Sequence, residues 1–230
     1  MKMIKQIDRI IRVPIEGVCL SRSDQERIPL SMQNRIERVL ITRGMIQARV
    51  QALAKKIAKH YQNQKTLVLV YILEGASIFS ADLARAIYDA GGPELRILSL
   101  KARTYGVELK QDGETSRTVK IIFAPGDIAG KEILIAEDIV DQGFTLLAVK
   151  EWLLGEAQVQ DVKICALLEK RLVHPTPEVS EHRRRLKLDW VGFSIPDRWV
   201  AGYGIDAGED FRALPYIVAV KEEYYLKARK

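Results

Sequence analysis

The chain has 230 residues, 47% of them hydrophobic and 29% charged, which is enough to bury a full core and fits one elaborated globular domain. Its net charge of +6 fits phosphate-rich partners but does not separate a small phosphorylated substrate from nucleic acid. No apolar run is long enough to cross a bilayer, and the charge-broken N-terminus MKMIKQIDRIIRVPIEG contains no signal-peptide core, so a cytoplasmic protein without a membrane partner is expected.

From Thr42 a helix is predicted, because Ile46, Val50, Leu53, Ala54 and Ile57 recur at steps of three and four among Lys and Arg. Leu67–Ile72 (LVLVYI) follows, too short and too β-branched for a helix. It ends at Glu74-Gly75, and a second helical stretch runs from Ser77 to Tyr88. Strands are predicted at Leu95–Leu100, Val119–Phe123 and Glu132–Ala136, then a helix at about Thr145–Leu154 and a strand at Val162–Leu168. Apolar runs without strict alternation, separated by helices, predict an α/β fold: a parallel twisted sheet with helices on both faces. Ligands in such sheets sit at the carboxyl ends of the strands, here just after Ile72, Ala136 and Leu168.

The polar stretch between Leu100 and Val119, KARTYGVELKQDGETSRT, reads as a long loop and a candidate lid. The core is expected at about residues 41–185. Residues 1–40 and 186–230 do not continue the alternation and are expected to form a small hood over it. Cys165 lies in an apolar run and reads as a buried thiol. Cys19, His60, His174 and His182 make no zinc-ligand spacing with it.

The densest chemistry lies in ILIAEDIVDQGFTLLAVKEWL, residues 133–153. A buried strand ends in Glu137 and Asp138; Asp141, Gly143 and Thr145 then lead into an amphipathic helix. Backbone N–H groups of a glycine turn at a helix N-terminus form an anion cradle. Two acids directly before such a cradle would repel phosphate unless they hold hydroxyls or a metal. A ribose 5-phosphate meets both demands. The bland reading is a βα turn with Asp141 as helix N-cap and two solvated acids.

This segment resembles the phosphoribosyl-diphosphate-binding motif of the type I phosphoribosyltransferases. LEGASIFSADLARAI (73–87), RTYG (103–106), KICALLEKR (163–171) and DWVGFSIPDRWVAGYGIDAGEDFRALPYI (189–217) resemble the hypoxanthine-guanine branch, in that branch's order. The resemblance implies Mg²⁺-dependent transfer of a phosphoribosyl group from phosphoribosyl diphosphate to a 6-oxopurine. It implies that Glu137 and Asp138 hold the ribose hydroxyls, that Asp141 is the catalytic base at N7, and that Asp141, Gln142, Gly143, Phe144 and Thr145 grip the 5′-phosphate. Lys170 would donate to the 6-oxo group, Trp190 stack on the base, Val191 read its edge and Ile139 line the opposite wall.

Further implied roles are pyrophosphate contacts at Leu73, Glu74, Gly75 and Arg212, with a cis peptide at Leu73–Glu74. Asp197 would support Mg²⁺ together with Glu137 and Asp138, and Thr104 and Tyr105 would sit on the lid. A homodimer or homotetramer is expected, and nucleic acid is not. Taken singly, Lys170 reads as a surface lysine, Trp190 as core, Asp197 as a turn residue and Arg212 as a surface ion-pair partner. Gln142 and Phe144 depart from the resemblance, and Glu74 places an acid beside a pyrophosphate loop. HRRRLK (182–187) reads as a solvated basic loop. The rival function is a non-catalytic regulator of the same fold that senses phosphoribosyl diphosphate or a nucleotide and binds nucleic acid through such loops.

Overall fold

In a computed structural model, residues 10–19, 28–109, 115–124 and 126–224 are described, with backbone alone at 103–109 and 115–118. Ten strands and five helices follow one another within them. They are β1 (Ile11–Arg12), α1 (Leu30–Gln33), β2 (Ile36–Ile41), α2 (Arg43–His60), β3 (Thr66–Ile72), α3 (Ser77–Asp89), β4 (Glu94–Leu109) and β5 (Thr115–Phe123). Then come β6 (Glu132–Val140), α4 (Phe144–Gly155), β7 (Asp161–Arg171), α5 (Pro177–Arg185), β8 (Trp190–Pro196), β9 (Val200–Ala201) and β10 (Ile217–Val220).

The main sheet has the order β1-β8-β7-β6-β3-β4-β5, parallel except for the β4–β5 pair. Its continuous apolar strands are explained by burial on both faces. Leu67, Leu69, Leu134, Cys165, Leu167 and Phe193 pack against Ile46, Leu53, Phe79 and Leu83 of α2 and α3. The alternate residues Val68, Val70, Ile133, Ile135, Ile164 and Ala166 pack against Leu146, Leu147, Val149 and Leu153 of α4. The predicted start of α2 is sharp, because the Thr42 hydroxyl accepts from the Met45 amide.

A second, antiparallel sheet β2-β10-β9 forms the hood, with Val39, Phe211, Tyr216 and Val218 in its core. Tyr203 donates from its hydroxyl to Asp82 of α3 at 2.7 Å, tying hood to core. The expected hood segment is divided: β8 and β1 extend the main sheet instead, β8 pairing parallel with β7 and β1 with β8.

The expected loop at 101–118 is another correction. β4 and β5 pair antiparallel as far as Leu109 and Thr115, so most of this stretch is a two-stranded ribbon. Such a ribbon satisfies its backbone across the pair and needs no apolar run, so hydrophobic patterning gives no sign of it. Thr104 and Tyr105 lie in it, opposite Val119 and Thr118. Their side chains, and residues 110–114 of the expected lid, lie outside the described residues. No helix is long and apolar enough to cross a membrane.

Candidate active site

The C-terminal ends of β3, β6 and β7 converge as expected, and the hood closes over them. β6 runs four residues past the predicted end, so Glu137 and Asp138 lie within the strand and are buried, 9% and 8% exposed. Glu137 Oε2 makes no hydrogen bond, and Asp138 Oδ1 accepts from the Ile139 amide at 2.8 Å. Burial, reinforced by the neighbouring Asp138, pushes the Glu137 carboxyl well up. Burial also pushes Asp138 up, to about 6, against the opposing pull of backbone hydrogen bonds and Arg212.

Two buried acids with so little compensation make a poor structural motif and a good receptor for hydroxyl or metal. Ile139, beside them, packs half-buried against the core on the α2–α3 side.

After β6 the chain turns through Asp141, Gln142 and Gly143 into α4. Gly143 has φ +87°, the left-handed region, and a Cβ there would sit 3.3 Å from Leu186 Cδ2. The first turn of α4, Phe144 and Thr145 included, follows it directly, and no side chain caps the helix. Asp141 therefore is not an N-cap. It accepts a hydrogen bond from Lys170 Nζ at 2.7 Å, and Lys170, at the end of β7, is only 5% exposed. A surface lysine is thereby excluded. A cavity of about 410 Å³ opens over this pair, walled by Gln142, Val173, Thr176 and Trp199.

Three expected residues are not where they were placed. Trp190 lies opposite Cys165 in the β7–β8 register whereas Lys170 lies opposite Ile195. Five residues at about 3.3 Å each put Trp190 roughly 16 Å down the sheet from Lys170. There it packs on His60 and Tyr61, with ring centroids 5.4 and 6.3 Å away. The Val191 carbonyl accepts from buried Arg49 at 2.8 Å. Asp197 accepts from the Val173 amide at 3.0 Å and lies 4.0 Å from Lys170, beside the Lys170 cavity rather than with the buried acids.

The residue found on the cavity wall instead is Trp199, whose ring lies 5.2 Å from Lys170 Nζ; Val200 follows it in β9. Asp206 is 2.9 Å from Arg212 and adds its charge to the environment of Asp138.

At the end of β3 the Leu73–Glu74 peptide is cis, as the resemblance implies. Gly75 is packed so closely that a Cβ would collide with the Asp138 carboxylate, and a Cβ on Gly204 would collide with the Gly75 carbonyl. Arg212 donates to the Gly204 carbonyl at 2.7 Å and approaches Glu74 to 3.9 Å; Lys101 lies 3.5 Å from the same carboxylate. Glu74 is thus flanked by two cations.

The basic stretch 182–187 belongs largely to α5 and is paired. Arg183 meets Glu169 at 2.7 Å, Arg184 meets Glu181 at 2.8 Å, and Arg185 contacts Glu151. A helix so neutralised offers little to a nucleic acid backbone, which removes the main support for a regulator.

Residues 42–207 match the family model described as phosphoribosyl transferase domain. The chain is 36% identical over 188 residues to the hypoxanthine phosphoribosyltransferase of Salmonella typhimurium, covering 81% of this chain and 96% of that protein. It is 33% identical over 190 residues to the hypoxanthine-guanine phosphoribosyltransferase of Dictyostelium discoideum, covering 82% and 98%. A crystal structure of a hypoxanthine phosphoribosyltransferase from Staphylococcus aureus superposes with a TM-score of 0.71 at 34% identity, over 86% of this chain and 99% of that one.

Proposed function

This chain belongs to the phosphoribosyltransferase family, and on that premise we propose that it salvages purines, transferring the 5-phosphoribosyl group of phosphoribosyl diphosphate to hypoxanthine or guanine with release of pyrophosphate. The observation that carries the reading is buried Lys170 hydrogen-bonded to Asp141 on the wall of a cavity that Trp199 also lines, with the Trp199 ring over Lys170.

A 6-oxopurine fits that cavity with its ring on Trp199, its 6-oxo oxygen accepting from Lys170 and its N7 proton on Asp141. Lys170 can only donate, so the 6-amino group of adenine is refused. The turn 141–145 takes the 5′-phosphate through its amides, and Glu137 and Asp138 accept from the ribose hydroxyls. Gln142 and Phe144 alter side chains around the cradle and leave those amides in place. Arg212 exchanges Asp206 and Glu74 for pyrophosphate.

Among the described residues no three metal-ligating side chains form a cage. Mg²⁺ commonly takes one or two carboxylates with substrate phosphate oxygens, and the unpartnered Glu137 Oε2 suits it. Glu137 and Asp138 are the residues that would hold it, with Asp206, in place of Asp197, adding its charge beside Asp138. Mg²⁺ there supplies positive charge at the leaving pyrophosphate. The developing sugar cation must be kept from water, and the β4–β5 ribbon is the candidate cover.

Nucleotide formation from phosphoribosyl diphosphate should proceed with hypoxanthine or guanine and fail with adenine; activity with neither 6-oxopurine would overturn the reading. Trp199→Ala is expected to raise KM for the base about 5–150-fold, the stacking loss. Trp190→Ala should leave KM unchanged while lowering folding stability by about 3–5 kcal/mol. Steady-state kinetics beside thermal melts decide between the two, and the opposite pattern returns the base wall to Trp190.

A further inference from the structure

α5 stands between the last residues of β7 and the start of β8; its N-cap Thr176 and Val179 line the cavity, and its later residues lie behind Asp141 and Lys170. Thr176 caps it by accepting from the Val179 amide, and buried Val179 and Leu186 anchor its two ends. His182 stacks on Phe144 at 4.3 Å between ring centroids, placing the helix against the start of α4.

From this helix the Arg183 guanidinium reaches inward. Its Nη1 donates to the Val140 and Asp141 carbonyls, each at 3.1 Å. Its Nη2 donates to Glu169 at 2.7 Å and to the Lys170 carbonyl at 3.3 Å. Its side chain is 19% exposed, and its Cδ lies 3.5 Å from where a Cβ on Gly143 would be. One planar fork therefore grips the main chain of both Asp141 and Lys170, the two residues that meet in the cavity. It also holds the turn from which the cradle amides project.

We propose that Arg183 is a positioning residue for phosphoribosyl transfer: it fixes the backbones of Asp141 and Lys170 relative to each other, and thereby sets where the purine's N7 and 6-oxo edge are met. The inference rests on the function proposed above and extends it to a residue that touches no substrate. The guanidinium supplies four donated hydrogen bonds in one plane, which a lysine ammonium cannot reproduce. Carbonyls turned toward Arg183 leave the following amides turned toward the cradle. Misplacement of reacting groups by about 1 Å costs roughly a hundredfold in rate.

Arg183→Gln is expected to lower kcat/KM for hypoxanthine about 10–100-fold, measured well below the melting temperature. Arg183→Lys should recover only a small part of that loss, and methylguanidinium added to Arg183→Ala should recover much more. Arg184→Ala and Arg185→Ala, which remove only outer ion pairs, should stay within about twofold of the parent. A crystal structure of Arg183→Gln supplies a readout independent of turnover, with the Asp141 and Lys170 carbonyls displaced from each other.

Parent activity with Arg183→Gln equal to it would overturn this inference and leave the enzyme reading intact. A loss that follows only the unfolded fraction and is not rescued would overturn it too, as would a variant structure superposing unchanged at residues 140–143 and 169–170. An inactive parent chain overturns the enzyme reading instead, and the crystal structures still decide the role of Arg183.

Discussion

Asp141→Asn is expected to lower turnover with hypoxanthine by about 10²–10⁴-fold, the span of general acid–base catalysis, while nucleotide binding changes little. Asp141 accepts from Lys170 at 2.7 Å, and an Asn oxygen can accept in the same place. The substitution therefore preserves geometry and removes charge. It does not uncap α4, whose N-cap is Gly143. What it removes is the acceptor for the N7 proton when the ring nitrogen attacks the sugar. Lys170 keeps Asp197 at 4.0 Å as a more distant counter-charge, so the lysine stays oriented for the 6-oxo group. Single-turnover kinetics and IMP binding by calorimetry separate the two effects. Turnover within about threefold of the parent would take Asp141 out of the chemistry.

The residues that the structure gathers at the ends of β6 and β7 were those whose position the chain order alone decides. A strand, two acids, a glycine turn and a helix can be assembled in one way, so Glu137 to Thr145 were legible. So was Lys170, which follows a strand that must lie next to β6. Trp190 and Asp197 were misplaced for a particular reason. The chain carries WVGFSIPD at 190–197 and WVAGYGID at 199–206, the same Trp-Val with an Asp seven residues after the Trp, twice in succession. Periodicity cannot say which copy lies at the carboxyl end of a strand. The β7–β8 register can, because it places the first copy along β8 and leaves the second beyond it in the hood.

Arg183 was invisible for a related reason. Its partners are mostly backbone carbonyls, which leave no residue type in the sequence to find, and its neighbours in HRRRLK resemble a solvated face. The β4–β5 ribbon escaped because its backbone is paired across its own ladder, which hydrophobic patterning does not report. Local chemistry was readable where side chains supply it and unreadable where register or main chain does.

The buried acids Glu137 and Asp138 govern the other large effect. Both carboxyls are pushed up, Asp138 to about 6 and Glu137 in the same direction, and burial is the main cause in each. The folded protein therefore binds protons that the unfolded chain, with an Asp near 3.8, has already released. The pair's contribution to stability is fully present below about pH 4 and is lost as pH rises through about 6 and beyond. At neutral pH that loss amounts to on the order of 1–3 kcal/mol.

Glu137→Gln/Asp138→Asn should accordingly melt higher than the parent at about pH 7.5, and the two melting curves should draw together near pH 4. Ionised carboxylates would hold ribose hydroxyls more strongly than neutral acceptors do, through charge-assisted hydrogen bonds, which is reason to keep the charge. IMP bound without added metal should tighten on the parent between about pH 5 and 7.5 and release protons. On the double variant it should be about 10²–10⁴-fold weaker, the loss of two charge-assisted hydrogen bonds at about 1.5–3 kcal/mol each, and should keep only the pH dependence of the nucleotide's own phosphate, whose second pKa is about 6. Calorimetry in buffers of different ionisation enthalpy counts the protons. Equal affinity in the two proteins, or a parent that gains stability relative to the variant as pH rises, would mean these carboxylates are structural and the sugar is held elsewhere.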